Sequence, residues 1–552
     1  MNFRKIAIAA AVVVAVAGAG AWVFRHEVVL TAASLRMDMT RDIAPNRSVE
    51  WQKPSAVEAA DATRPPNIVL IVTDDMGFGD VSFHGTGAMR GLLETPHMDA
   101  IAREGAVFMN GYAGNATCAP SRAMLMTGRY GTRFGFEFTP TPDGMGPIIS
   151  MIYNDSDLPH PMLENANRGE VPPFEEQGIP GSEITVAQVL QQRGYHTAHI
   201  GKWHLGRSAQ SNPNVKGFDE SLLMASGLFL PEDHPEAVNA RLSFDPIDRF
   251  LWAVLRYAVS FNGGDWFEPD GYLTDYFTDH AVEVIENNRD RPFFLYLAHW
   301  APHTPLQALR EDYDALGHIE VHRERVYAAM LRALDRSTAR VMQALKDNGI
   351  DDNTLVIFTS DNGGAGYVGI PGLNDPYRGW KATFFEGGVH VPFFARWPGR
   401  IEPGTVVREP VSHLDILPTA AAASGATVPQ DRTIDGRNFL PLVTGEANVL
   451  DREALFFRAD HYQAVISQGW KLQRADRPDK VWLYHLDQDP TEQTNLAAEF
   501  PDKALELLAM LDAHNAAQVP AMFPHAGELP VTVDKTLADP ADETDEFIYW
   551  PG

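Results

Sequence analysis

Asp74-Asp75 and Asp361-Asn362 lie far apart in the chain, yet each follows a run of apolar and β-branched residues, Asn67-Ile-Val-Leu-Ile-Val72 and Thr354-Leu-Val-Ile-Phe358. Either pair alone is ordinary turn chemistry, because Asp and Asn favour strand-to-loop turns. Together they deliver carboxylates to one edge of a sheet, and adjacent carboxylates that stay ionised need a cation. An all-oxygen donor set suits a hard ion, Ca2+ or Mg2+. The third candidate is Cys118-Ala-Pro-Ser-Arg122-Ala-Met-Leu-Met-Thr127-Gly128-Arg129, which holds the chain's one cysteine. Pro120 fits the first turn of a helix and Gly128 its end, so Cys118 falls at the helix N-terminus. The dipole and free N–H groups there favour an anion and an ionised nucleophile. Arg122, one turn on, can reach whatever group Cys118 holds. The plain alternative is a buried thiol acting as a small apolar side chain. A thiolate phosphatase would set its arginine farther from the cysteine.

These residues need rigid elements beneath them. The two runs are continuous rather than alternating, as in central parallel strands buried on both faces. Pro292-Phe-Phe-Leu-Tyr-Leu297 is a third, followed by His299 and His303. Helical patterns cover Ile184 to Gln192, Tyr276 to Asn287 and Arg323 to Asp347, the last stopped by Gly349. Strands alternating with helices predict a doubly wound α/β sheet, with ligands beyond the carboxyl ends of the strands. Pro140 to Gly181 and Gly206 to Asp270 read as long loops walling a cleft. Within the second, the apolar stretch Phe250 to Phe261 reads as core in preference to cleft lining. From about Leu450 short alternating runs, then a helix at Lys503 to Asn515, predict a smaller α+β domain with an antiparallel sheet.

Composition narrows the function. A net charge of −28, from 45 Lys+Arg against 73 Asp+Glu, argues against a nucleic-acid surface. An anionic substrate would need a local cationic pocket against that field. One cysteine excludes an intrachain disulfide framework and multi-cysteine metal sites. Arg4 and Lys5 precede an uncharged run from Ile6 to Phe24, and Ala17-Gly-Ala19 offers a signal-peptidase site. Residues 1–24 are therefore expected to be a signal peptide or membrane anchor. That places the rest in the periplasm or outside the cell, with residues 6–24 as a candidate membrane tether. Residues 25–65 read as a linker, 66–449 as the main domain and 450–552 as the C-terminal subdomain.

The motif Cys-x-Pro-Ser-Arg-x-x-x-x-Thr-Gly-Arg at 118–129 resembles the signature of the type I, formylglycine-dependent sulfatases of the alkaline phosphatase superfamily. The similarity extends through Asp74-Asp75, Gly201-Lys202-Trp203-His204-Leu205-Gly206, Pro302-His303-Thr304-Pro305, Thr359-Ser-Asp361-Asn362-Gly363, Gly379-Trp-Lys381, Phe385-Glu-Gly-Gly388 and the C-terminal Leu483-Tyr-His-Leu-Asp487. It implies the large, mostly parallel sheet of that superfamily and hydrolysis of a sulfate monoester. It also implies a maturation enzyme that oxidises Cys118 to formylglycine. One hydroxyl of the hydrated aldehyde would attack sulfur, and the other would let the centre collapse and expel sulfate. Asp74, Asp75, Asp361, Asn362 and the modified Cys118 would hold Ca2+, with Mg2+ as the alternative.

Lys202 and His204 are one residue apart, so in extended chain they would share a face. Lys202, Lys381 and Arg122 could cage a sulfate, with His204 and His303 beside it. By resemblance, His204 would assist deprotonation of the second hydroxyl, His303 would protonate the departing oxygen, and Asp361 would serve as ligand and base. Ser226 is a weaker candidate beside the sulfate, and Arg129 reads as structural. Two other readings share these features: a phosphonate or phosphate ester hydrolase of the same superfamily, and an exported, non-catalytic binder of sulfated polymers. A sulfated glycan, steroid or simple aryl ester would each fit as substrate.

Overall fold

The computed structural model describes residues 24–40, 42–54, 64–85, 88–142, 144–154, 159–162, 171–225 and 227–552. The expected signal or anchor at residues 1–24 lies, but for Phe24, outside these, as does Ser226. Ten strands form the main sheet: β1 (Asn67–Thr73), β2 (Ala106–Phe108), β3 (His196–Gly201), β4 (Glu220–Met224), β5 (Val259–Phe261), β6 (Trp266–Phe267), β7 (Phe293–Ala298), β8 (Thr354–Ser360), β9 (Phe393–Arg396) and β10 (Thr405–Val407). Their spatial order is β10-β2-β9-β8-β1-β7-β3-β4-β5-β6. The five strands from β8 to β4 run parallel, and antiparallel pairs flank them on both sides.

Every residue of β1, β7 and β8 is buried, which explains their unbroken hydrophobicity. Alternation still sorts their side chains. Ile68, Leu70, Val72, Phe294, Tyr296, Leu355 and Ile357 pack on one face, with Ala119, Ala123 and Leu125 of helix α2 (Cys118–Thr127). Val69, Ile71, Leu295, Leu297, Val356 and Phe358 pack on the other, with helices α4 (Leu273–Asn288) and α5 (His322–Asp347). Each fully buried aliphatic or aromatic side chain contributes ~1.5–3 kcal/mol of transfer free energy. The α/β fold with its mostly parallel sheet is thus as expected.

Three expectations are corrected. The segment read as linker contains helix α1 (Arg25–Thr40), whose Leu30 packs into the core beside helix α3 (Pro246–Val254). Its weak periodicity has a physical reason: the helix is apolar on two faces. Residues 206–270 are not a loop but supply β4, α3, β5 and β6, because short strands at a sheet edge leave little pattern. Between 140 and 181, Met145–Asn154 is helical. Phe250, Trp252 and Val254 of α3 are buried in the core, as preferred.

Toward the C-terminus β11 (Leu455–Ala459), β12 (Tyr462–Ser467), β13 (Trp470–Asp476) and β14 (Asp479–His485) form an antiparallel meander, covered by helix α6 (Pro501–Ala516).

Candidate active site

Strand register assembles the site. Thr73 of β1 lies opposite Ser360 of β8, so Asp74-Asp75 and Asp361-Asn362 leave the sheet side by side. Asp361 N–H donates to the Thr73 carbonyl at 3.1 Å, and Asp75 N–H to Asp361 Oδ1 at 3.2 Å. Gly201 of β3 lies opposite Ala298 of β7, and Lys202 N–H donates to the Ala298 carbonyl at 2.8 Å. A Cβ on Gly201 would stand 2.0 Å from that carbonyl oxygen, so only glycine permits the exit that aims Lys202. Asp75, His204 and Ala382 hold left-handed φ values of 60°, 60° and 66°, a strain that clusters at this edge. His204 therefore reaches the site through a turn, not through the extended chain expected. It still lines a cleft together with Lys202.

Helix α2 starts at Cys118 and ends at Gly128 in the left-handed conformation, as the motif predicts. The Cys118 thiol lies 3.4 Å from Asp74 Oδ1 and 3.7 Å from Asp75 Oδ1. Burial, and then the charge of Asp361, push this thiol well above its ordinary pKa. Burial first, and Asp361 after it, thus oppose the ionised thiol that the helix terminus favours.

Three cations balance the three carboxylates. Lys202 Nζ lies 2.5 Å from Asp74, Lys381 Nζ donates to Asp75 at 2.8 Å, and Arg122 Nε donates to Asp361 at 2.8 Å. Arg122 is fully buried and spends its other nitrogens on Asp74 (3.4 Å), the Lys202 carbonyl (3.2 Å) and Tyr296 Oη (3.0 Å). It braces carboxylates, and these four bonds leave one of its five N–H groups unspent. Burial pushes Asp75 up, but Lys381, His303 and Lys202 outweigh it and hold this carboxylate well below its usual range. On Asp361 Arg122 and Lys202 overcome burial in the same way. Asp74 is pushed up, by burial and by Asp361.

His303 stands 3.5 Å from Asp75 and 3.4 Å from Lys381 Nζ. Its Nδ1 lies 2.6 Å from the Thr304 carbonyl, which assigns the proton there and leaves Nε2 as an acceptor. Burial lowers His303 to about 3 and, with Lys202, takes His204 well below its ordinary value, so both rings are neutral. His299 instead bonds Ser337 of α5 at 2.9 Å, outside the site. Arg129 pairs with Glu183 at 3.3 Å, a structural contact.

The residues fit a hard cation. Ligand atoms of Asp74, Asp75, Cys118 and His303 lie within 4.8 Å of one another. Asn362 Oδ1 is buried with no hydrogen-bond partner, an acceptor that a cation would satisfy.

Two further groups were not legible in the sequence. Tyr367 Oη donates to Asp75 at 2.9 Å and lies 3.2 Å from Lys381 Nζ. No spacing marks it; it is a lone tyrosine after a glycine-rich turn. The loop around Lys381 is also gripped from the C-terminal sheet. Glu386 N–H donates to Glu492 at 2.5 Å, and the Lys471 ammonium lies 2.7 Å from Glu386 and 3.0 Å from Glu492. From the other side, Lys381 N–H donates to the Gly364 carbonyl and Ala382 N–H to Ala116.

The Sulfatase family model matches residues 66–426, and that described as N-sulphoglucosamine sulphohydrolase, C-terminal, matches residues 378–514. The N-acetylgalactosamine-6-sulfatase of Homo sapiens is 32% identical over 84% of this chain and 88% of its own. The steryl-sulfatase of Mus musculus is 30% identical over 84% of each. Among solved structures, Ps i-CgsB in complex with k-i-k-neocarrahexaose superposes with a TM-score of 0.68 at 29% identity, covering 83% of this chain and 95% of that one. The phosphonate monoester hydrolase of Agrobacterium radiobacter shares the fold at 21% identity, with a TM-score of 0.53. With the family model matched over most of the chain and relatives similar over nearly their full length, the chain belongs to the sulfatase family, the hydrolases of sulfuric esters.

Proposed function

We propose that this sulfatase removes sulfate from a sulfated glycan, with residue 118 matured to formylglycine and Ca2+ held by Asp74, Asp75, Asp361, Asn362 and residue 118. One observation carries the reading. Three buried carboxylates are matched by three cations, so a divalent ion added to the set leaves an excess of positive charge that favours the sulfate ester anion. Mg2+ is the other hard ion these oxygens suit. The formylglycine hydrate supplies the attacking hydroxyl and the ion the Lewis acidity that favours its ionisation.

The protein's own residues do the rest. Lys202 and Lys381 bind the sulfate oxygens at a largely buried edge, where their charge is little screened. Arg122 keeps Asp361 ionised and holds Asp361 and Asp74 in place. His204, whose buried Nδ1 has no hydrogen-bond partner, would accept the proton of the second hydroxyl. His303 and Lys381, 3.4 Å apart, carry a proton to the departing sugar oxygen. The buried thiol also sets an order of events: a maturation enzyme must reach Cys118 before folding covers it.

A glycan as substrate is supported by the relative named N-acetylgalactosamine-6-sulfatase and by the neighbour solved with neocarrahexaose. The N-terminal sequence supports export to the periplasm or beyond, with residues 6–24 as signal or tether. The test uses protein co-expressed with a formylglycine-generating enzyme. A peptide spectrum across residue 118 should show the aldehyde, and sulfated oligosaccharides should release sulfate faster than a phosphonate monoester is cleaved. An unmodified thiol in active protein, or preference for the phosphonate, overturns the reading. Tight binding of sulfated polymer without release makes the chain a binder.

A further inference from the structure

Helix α1 is apolar on two opposite faces. One is spent on the protein: Leu30 is buried in the core, and Ala33 and Met37 pack against it. Arg256 donates to the Ser34 carbonyl at 2.8 Å and Arg249 pairs with Glu27 at 3.1 Å, which fixes the rotation of the helix. The other face points to solvent with Phe24, Val28, Leu35 and Met39 at 62, 52, 57 and 86% exposure. Val28 N–H donates to the Phe24 carbonyl, so Phe24 continues the helix. At 3.6 residues per turn these four fall within an arc of about 60° and run for about 22 Å along the axis. Exposed Thr31 and Ala32 fill the space between them. No other described helix carries more than two large exposed apolar side chains. A contiguous stripe of this kind marks a surface with a partner.

The stripe begins at Phe24, the residue at which the uncharged run from Ile6 ends. A run of that length matches the ~17–25 residues that cross a hydrocarbon core. A chain that leaves a bilayer at Phe24 keeps its next few turns at the bilayer surface, and α1 is apolar outward from that point. The overall charge of −28 opposes anionic lipid, so the contact is apolar rather than electrostatic. We infer that the outer face of α1 rests in the interfacial layer of a phospholipid bilayer, so that the catalytic domain lies against the membrane instead of trailing from a leash.

The test uses the full chain. Cys118 is the one native cysteine and is buried, so a cysteine introduced by Leu35→Cys, or separately by Val28→Cys, takes an environment-sensitive fluorophore selectively. Val449→Cys, at an exposed site far along the chain, is the control. On phosphatidylcholine vesicles, labels at 28 and 35 should shift to the blue and be quenched by brominated lipid, insensitively to salt, while 449 stays unchanged. Leu35→Glu with Met39→Glu should return the label at 28 to a water-like spectrum, with catalysis intact. The inference is overturned if labels stay in water while the protein floats with vesicles. It is equally overturned if they are blue-shifted without lipid, whether in a monomer (the chain covers its own stripe) or in a dimer (a second copy does). None of these results bears on the sulfatase reading.

Discussion

The indole of Trp300 stacks on the His303 ring at 4.0 Å, with the planes 24° apart, and lies 4.6 Å from Lys202 Nζ. One buried side chain thus touches two of the groups assigned to substrate. Its effect is orientation, because a displacement of about 1 Å at such groups costs on the order of a hundredfold in rate. Trp300→Leu should lower kcat about ten- to a hundredfold with a smaller change in KM. Trp300→Phe should restore most of it, since the ring face survives. Steady-state kinetics beside melting curves checks this, and an unchanged kcat in the leucine variant refutes the role.

Cys118→Ala should reduce turnover by at least about a thousandfold, the scale on which removing a nucleophile acts. The Tm should move little, because the thiol is small and donates only long contacts to Asp74 and Asp75. Substantial residual sulfate release would refute the nucleophile.

Chelation should lower the Tm, and titrating Ca2+ back should raise it with saturation. An ion bound only by the folded state adds about 2.7 kcal/mol at a hundredfold excess over Kd. Asp361→Asn should weaken that response and the rate together, since it removes a ligand and leaves Arg122 short of its 2.8 Å partner. Unchanged calcium affinity in this variant would place the ion elsewhere.

Burial, opposed by Lys471 and reinforced by Glu386, raises Glu492 to about 7. A glutamate in the unfolded chain titrates near 4.3. Between these values the folded state keeps a proton that the unfolded state has lost, so stability falls as pH rises through the window and levels off above it. Glu492→Gln keeps an acceptor for the Glu386 N–H but cannot ionise. Its Tm should decline less than that of the parent between about pH 5 and 8. Parallel curves would show that Glu492 is not the group titrating.

What sequence order alone determined here is local and periodic. Continuous apolar runs named β1, β7 and β8, because strands buried on both faces need no alternation. Pro120 and Gly128 bounded α2, because backbone conformation at helix ends depends on those residue types. The acidic pairs and Cys118 were legible as chemistry because each follows directly on such an element. Tertiary structure decided everything that depends on which strand lies beside which. The register of Thr73 against Ser360 and of Gly201 against Ala298 turns separate motifs into one charge-balanced site. The same packing set Arg122 against Asp361 and Asp74 and buried the Cys118 thiol beside them. It also enlisted Tyr367, Trp300 and Lys471, which stand out in no motif, and used one face of α1 while leaving the other bare. Spacing along the chain carries no record of these contacts, for electrostatics and packing act on distance in space.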